Sequence, residues 1–409
     1  MYPQQMIRSV LLTALVASAV ACGQQPKAMP PRDSWSGRIA ESFLARHPDA
    51  ATYDSVTVNR KWKYEQGLML FAVYQMWLHS GDRKYFEFVQ KNLEQYVDEN
   101  GGIRTYKLND YNLDNIAPGR ALIEVFAATQ QQRFRAAAEM LRRQLRGQPR
   151  THEGGFWHKK IYPYQMWLDG LYMAEPFYAK YAATFNEPSD FDDIANQFIL
   201  VAQHTLDPKT GLMFHGWDES KQQRWANRET GCSESFWGRS VGWYTMALVD
   251  VLDDFPADHP KKVQLLKILK GISEALLKFQ DTRTHLWYQV LDQNSQPGNY
   301  IEVSASSMFV YSFAKGSHKG YLEERFLSAA KQAFEAIVDR FVTFDSSGLV
   351  NLHGICSSAG LGGTPYRNGS FEYYSSIPQQ TNDMKGFGPF LLASIELENG
   401  AVQTENGAK

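Results

Sequence analysis

The chain has 409 residues, 44% of them hydrophobic, enough for a full core, and 21% charged with a formal net charge of −2. That balance excludes nucleic-acid binding through bulk positive charge, so an acidic ligand must be met by a few placed groups. Aromatics reach 13%, with 10 Trp, 21 Tyr and 24 Phe, which suits helix packing and sugar stacking alike.

The start reads MIRSVLLTALVASAVACGQQ, with Arg8 ahead of an apolar run from Val10 to Val20 that ends in small residues and Cys22. This is a secretory leader, too short for a membrane span followed by a domain. The AVAC ending resembles a bacterial lipoprotein cleavage box, which makes 1–21 the leader and Cys22 a lipidated first residue. Ala19 is a less usual first residue for such a box, and plain cleavage nearby is the alternative. Residues 22–35 are polar and Pro-containing and form a tether to a single domain over 36–409. Only Cys232 and Cys356 then remain, too few for a disulfide framework. The expected product is exported, and is either periplasmic or a membrane-anchored lipoprotein of a Gram-negative bacterium.

Beyond the tether, helical periodicity dominates. Amphipathic helices are predicted over 81–100, 189–206, 261–279 and 321–341. Each is preceded by a helix that is apolar nearly all round, and six such helices begin near Gly67, Gly119, Gly170, Gly242, Ser307 and Gly386. The steps between them are 52, 51, 72, 65 and 79 residues, an irregular repeat of six helix pairs. Helices apolar on all sides belong inside and their one-sided partners outside. The predicted fold is all-α, an (α/α)6 barrel or six-hairpin toroid. Its outer-to-inner links gather at one end and line a funnel. Those links share a turn, a short apolar extension and a terminal polar or aromatic residue: DENGGIRTY ends in Tyr106, GGFWH in His158, DPKTGLMFH in His215 and DTRTHLWYQ in Gln289.

Asp169 lies in YPYQMWLDGLYM, early in an inner helix and with no Lys or Arg between Lys160 and Lys180. It is either a buried Asp satisfied by backbone or Gln165, or a carboxyl raised in pKa by burial and fit for general acid work. Asp114, ahead of the second inner helix, is either an N-cap or a second carboxyl facing Asp169, which would raise one pKa further. His158 and His215 suit hydrogen bonding to a polar substrate; without an H-x-x-x-H or Cys/His cluster, no metal or cofactor is expected. Lys159 and Arg239 either pair with acids or hold a substrate carboxylate. Trp237 and Trp243 are packing or a stacking platform. GRSVG at 238–242 matches a serine-hydrolase elbow, but that motif needs a preceding strand in a parallel sheet, and no βα alternation exists here.

GGFWHKKIYPYQMWLDGLYMAEPFYAKY, with YNLDNIAPG, GLMFHGWDE and FWGRSVGWY, resembles the unsaturated rhamnogalacturonyl hydrolases, glycoside hydrolase family 105, over roughly residues 36–395. The resemblance implies the same (α/α)6 fold. It also implies hydration of the C4=C5 double bond that pectin lyases leave on a terminal uronic acid. By resemblance Asp169 protonates C4 and helps water add at C5, and the hemiketal that forms opens to release the glycosidic bond. Asp114 would then orient the substrate, with His158, Lys159, His215, Trp237 and Arg239 as substrate contacts. After WGR the family often continues Gly-Asn-Gly, whereas this chain has Ser240, Val241 and Gly242, which bears on the pocket near Arg239 and the preferred uronide. The expected partner is an unsaturated oligosaccharide, with membrane contact only through the lipid anchor. The competing readings are an unsaturated glucuronyl hydrolase and a non-catalytic glycan-binding lipoprotein.

Overall fold

A computed structural model of the chain describes residues 34–51 and 61–407. The first helix, α1 (Trp35–Arg46), is capped by the Ser34 hydroxyl accepting from Gly37 N and starts within the stretch read as tether. Inner and outer helices then alternate. The first three pairs are α2 (Tyr64–Ser80) with α3 (Arg83–Glu94), α4 (Gly119–Thr129) with α5 (Gln132–Gly147), and α6 (Leu168–Phe185) with α7 (Asp190–Thr205). Two more follow, α8 (Gly238–Asp254) with α9 (Lys262–Phe279), and α10 (Val303–His318) with α11 (Glu324–Phe341). A short α12 (Phe371–Ser375) precedes the last inner helix, α13 (Met384–Gly407).

The six inner helices form a closed ring, each packed on the next, and α13 returns to α2. They are the six apolar helices of the sequence. Every residue of α8 from Gly238 to Leu252 is buried, whereas α9 buries only one stripe that includes Leu265, Leu269, Ile272 and Leu276. A fully buried Leu or Val contributes roughly 1.5–3 kcal/mol, so ring closure rests on these all-round apolar surfaces. The small residues that mark the repeats lie where backbones meet. A Cβ on Gly67 would stand 2.6 Å from Pro118 N, and one on Gly242 would stand 2.6 Å from Met308 Sδ.

One pairing differs from the sequence reading, which had an amphipathic helix after every apolar one. The last inner helix takes its outer partner from the opposite end of the chain, since α1 packs on α13. The joint is polar: Glu398 accepts from Ser36 N at 2.9 Å and from the Ser36 hydroxyl at 2.5 Å, and stands 3.1 Å from His79 Nε2. Burial pushes the Glu398 carboxyl up, but His79 and Ser36 outweigh it and leave its pKa below the usual value. A depressed folded pKa means stability present above the unfolded pKa and lost as pH falls. Glu398→Gln should therefore cost about 1–3 kcal/mol at neutral pH and lose that excess toward acid, as read by urea titration at the two pH values.

Four of the outer helices, α3, α7, α9 and α11, end alike. Asp98, Asp207, Asp281 and Asp345 each accept backbone N–H bonds from the next two to four residues, so each helix leaves through a tight turn. Three short antiparallel pairs decorate the ring: β1 (Gln165–Trp167) with β2 (Gly216–Asp218), β3 (Val342–Phe344) with β4 (Val350–Leu352), and β5 (Ile355–Cys356) with β6 (Gln379–Gln380).

Candidate active site

β1 and β2 build the centre of the mouth. Their register sets Trp167 against Gly216, and Leu168 N donates to His215 O at 3.0 Å. Asp169, in the first turn of α6, is thereby fixed opposite His215, with Oδ2 3.0 Å from Nε2. Neither atom makes an aligned hydrogen bond to another group among the described residues. His215 is buried, and its Nδ1 lies 2.6 Å from the Tyr374 hydroxyl. Gln165 does not hold Asp169; its Oε1 accepts from Trp167 Nε1 at 3.1 Å.

The expected rise in the Asp169 pKa is corrected. Burial does push it up, but the charge and hydrogen bonding of His215, then the charge of His158, outweigh that and hold the carboxyl below its usual value. Asp169 and His215 thus form one carboxyl–imidazole pair across 3.0 Å. Removing the ring by His215→Asn should lower kcat about 10–100-fold and move the limb of the pH–rate profile that reports Asp169 upward, because burial would then be opposed only by His158 and the local backbone. An unmoved profile would contradict this pairing.

Asp114 sits in a 3-10 turn over Leu113–Asn115, and Asn112 rather than Asp114 caps it, accepting from Asp114 N at 3.0 Å. The Asp114 side chain is bonded to Lys159 Nζ and lies 3.4 Å from His158 Nε2. Lys159 is thus paired with Asp114, and His215 rather than Asp114 leads the groups that lower the Asp169 pKa. His158 is buried, and its pKa is lowered to about 4, with burial the main cause, so it is neutral at pH 7. It stacks at 4.6 Å on Trp167, whose other face takes Tyr162 at 4.9 Å.

The second wall comes from α8 and the segments after α10. Trp237 Nε1 donates to Gln289 Oε1 at 3.1 Å, and its ring stacks on Tyr374 at 5.6 Å and meets His215 at 4.8 Å. Arg239 is 1% exposed. It donates to the Ser304 hydroxyl at 2.8 Å, to Ser357 O at 3.2 Å and to Cys356 O, and stands 3.6 Å from Glu302. Its fork is therefore spent largely on holding 356–357 to α10, not left open as a clamp. Trp243 is buried deeper, between Tyr64 at 6.1 Å and Tyr172 at 4.6 Å, as packing below the mouth. Ser240 donates to Trp237 O at 2.8 Å within the first turn of α8, so GRSVG is a helix start and not a nucleophile elbow.

Three of the four link residues, His158, His215 and Gln289, converge as the repeat pattern predicts, whereas Tyr106 turns to α5 and donates to Gln144 at 2.9 Å. Sequence reasoning missed Tyr374 and Glu302. Glu302 carried a signal, an acid just ahead of an apolar run; it accepts from Ser304 N, Ala305 N and Cys356 N. Cys232 and Cys356 are free and buried, and Cys22 lies outside the described residues.

The family model described as Glycosyl Hydrolase Family 88 matches residues 35–400. The chain belongs to this family. It is a glycosidase of the group that includes glycoside hydrolase family 105. A family 105 glycoside hydrolase from C. acetobutylicum shares 45% identity and superposes with a TM-score of 0.86 over 90% of this chain and 99% of that one. The unsaturated rhamnogalacturonyl hydrolase YesR of Bacillus subtilis is 25% identical over 252 residues, 60% of this chain and 68% of that protein. An unsaturated glucuronyl hydrolase from Bacillus sp. GL1, responsible for degradation of glycosaminoglycan, has a TM-score of 0.64 over 89% of this chain and 95% of that one; at 16% identity it shares the fold alone.

Proposed function

We propose that this glycosidase removes the terminal 4,5-unsaturated uronic acid from lyase-generated oligosaccharides, the unsaturated rhamnogalacturonan disaccharide first among them, by hydrating the C4=C5 bond. The observation that carries the reading is the isolated Asp169–His215 pair, a carboxyl and an imidazole 3.0 Å apart at the mouth of the ring. A vinyl ether needs one placed proton donor and one water. A bound uronate brings negative charge and displaces water, and both raise the proton affinity of Asp169, moving the shared proton onto its oxygen. Asp169 then protonates C4, and as carboxylate it accepts a proton from the water that adds at C5. The hemiketal opens, C5 becomes a ketone, and the hemiacetal left at C1 expels the aglycone. Asp114, fixed by Lys159 and His158, orients the sugar, and the walls of Trp167 and Trp237 frame it.

The kinship with YesR supports the rhamnogalacturonyl substrate, while Ser240 and Val241 beside Arg239 leave glycosaminoglycan-derived uronides as the competing choice. The test follows the ultraviolet absorbance of the conjugated uronide with lyase-treated rhamnogalacturonan and with lyase-treated glycosaminoglycan. Faster loss on the first is expected; faster loss on the second reverses the substrate assignment, and loss on neither overturns the activity. The leader at 1–21 supports export with lipid on Cys22, and labelled fatty acid should be incorporated by the full chain but not by its Cys22→Ser variant.

A further inference from the structure

Behind the site, between α6 and the segment 156–166, lies a small cavity with about 10 Å3 of space for the centre of a water molecule. That is room for a single water. Its walls are mostly apolar, from Leu113, Phe156, Met166 and Leu171. Two polar atoms of its lining residues, His158 Nδ1 and Glu175 Oε2, have no hydrogen-bond partner among the described residues, although His158 is 3% and Glu175 1% exposed. The amide of Gln197, which also lines it, is already spent, accepting from Phe156 N at 2.8 Å and donating to Asp193 at 3.0 Å and Gly154 O at 3.2 Å. Gly170 brings the helix close to this spot: a Cβ there would stand 3.0 Å from His158 Nδ1.

We infer that one water seated in this cavity joins His158 Nδ1 to the Glu175 carboxyl, making Glu175 a positioning residue for His158. A buried donor or acceptor left unmet costs about 1–3 kcal/mol, so two such atoms on one water-sized space call for the same bridge. Burial, reinforced by Asp193 and opposed by Arg150 and Arg142, holds the Glu175 pKa well above the usual carboxylate range, which favours the protonated form that donates through its O–H. The chain of donation then runs from Glu175 to water and from water to Nδ1. The ring proton is left on Nε2, which points it at Asp114 Oδ1, 3.4 Å away. The neutral tautomer of His158, and through it the placement of Asp114, is set from the back of α6.

The inference rests on the proposed role of the Asp169 site only for its effect on rate; the tautomer is read independently. Imidazole 15N spectra of the full chain, with His158 assigned by a His158→Asn variant, should show the Nε2–H form. Glu175→Gln, whose amide still donates, should keep it. Glu175→Leu should give mixed tautomers and lower kcat about tenfold with little change in KM, an effect typical of an outer hydrogen bond to a working histidine. The same change in the His158→Asn background should add nothing further. An unchanged tautomer in Glu175→Leu, even with activity lost, would assign Glu175 to structure alone and overturn the proposal, as would a further loss in the double variant. If the Leu variant does not fold, a high-resolution crystal structure of the wild-type protein decides: an ordered water between the two atoms is expected, and a dry cavity overturns it.

Discussion

Asp169→Asn is expected to lower kcat on an unsaturated disaccharide by about 10³-fold while leaving the melting temperature within a few degrees of wild type. The amide keeps the shape of the side chain and its place in the first turn of α6, but it cannot deliver a proton to carbon or take one from water. Stability should change little because Oδ2 has no aligned hydrogen bond among the described residues beyond its contact with His215. Loss of the negative charge removes an attraction to His215 but also a buried carboxylate, and the two effects oppose. Activity retained within tenfold, measured as aglycone release, would remove Asp169 from the chemistry.

The largest effect on stability belongs to Asp250, far along α8 from the mouth. It accepts from Arg120 at 2.6 Å, Lys315 at 2.5 Å and the Tyr311 hydroxyl at 2.6 Å, tying α4 and α10 to α8 in the middle of the ring. Arg120 also stacks over Phe71 at 3.5 Å, while Lys315 has a second acid, Asp253, at 2.7 Å. Asp250→Asn strands the Arg120 charge in the core, and breaking one side of a buried pair costs about 3–5 kcal/mol. The pH dependence has a definite sign. Burial pushes the Asp250 carboxyl up, but Arg120, Lys315 and the Tyr311 bond bring its pKa down to about 2. Its stabilisation is therefore complete above the unfolded value near 4 and fades as pH falls toward 2. Urea titrations should show the Asn variant weaker at pH 7 by that amount, with the gap narrowing toward pH 2. Replacing the three charged residues together by apolar ones of similar size should restore most of the loss, since a buried network contributes little beyond what its desolvation costs.

The fold was legible because the inner helices advertise themselves: segments such as GRSVGWYTMALVDVL are apolar on every side, and only a doubly covered position tolerates that. The placement of α1 was not, because its partner α13 lies at the far end of the chain and the joint is made by Ser36, His79 and Glu398 rather than by a local pattern. In the site, the convergence of His158, His215 and Gln289 could be read from the shared link pattern. What faces what could not. Asp114 read either as an N-cap or as a carboxyl facing Asp169; the β1–β2 register is what brings His215 to Asp169 and holds its pKa below rather than above the usual value. Lys159 and Arg239 read either as partners of acids or as holders of a substrate carboxylate, and only the folded chain supplies Asp114 to one and the carbonyls of Cys356 and Ser357 to the other.

The measurement that bears most directly on the proposed chemistry is proton NMR of an unsaturated disaccharide turning over in D2O. Hydration through Asp169 predicts that the vinyl C4 proton signal disappears in step with aglycone release and that one deuterium arrives at C4. Release of the aglycone with the vinyl signal intact would mean attack at the anomeric carbon and would contradict the role given to Asp169.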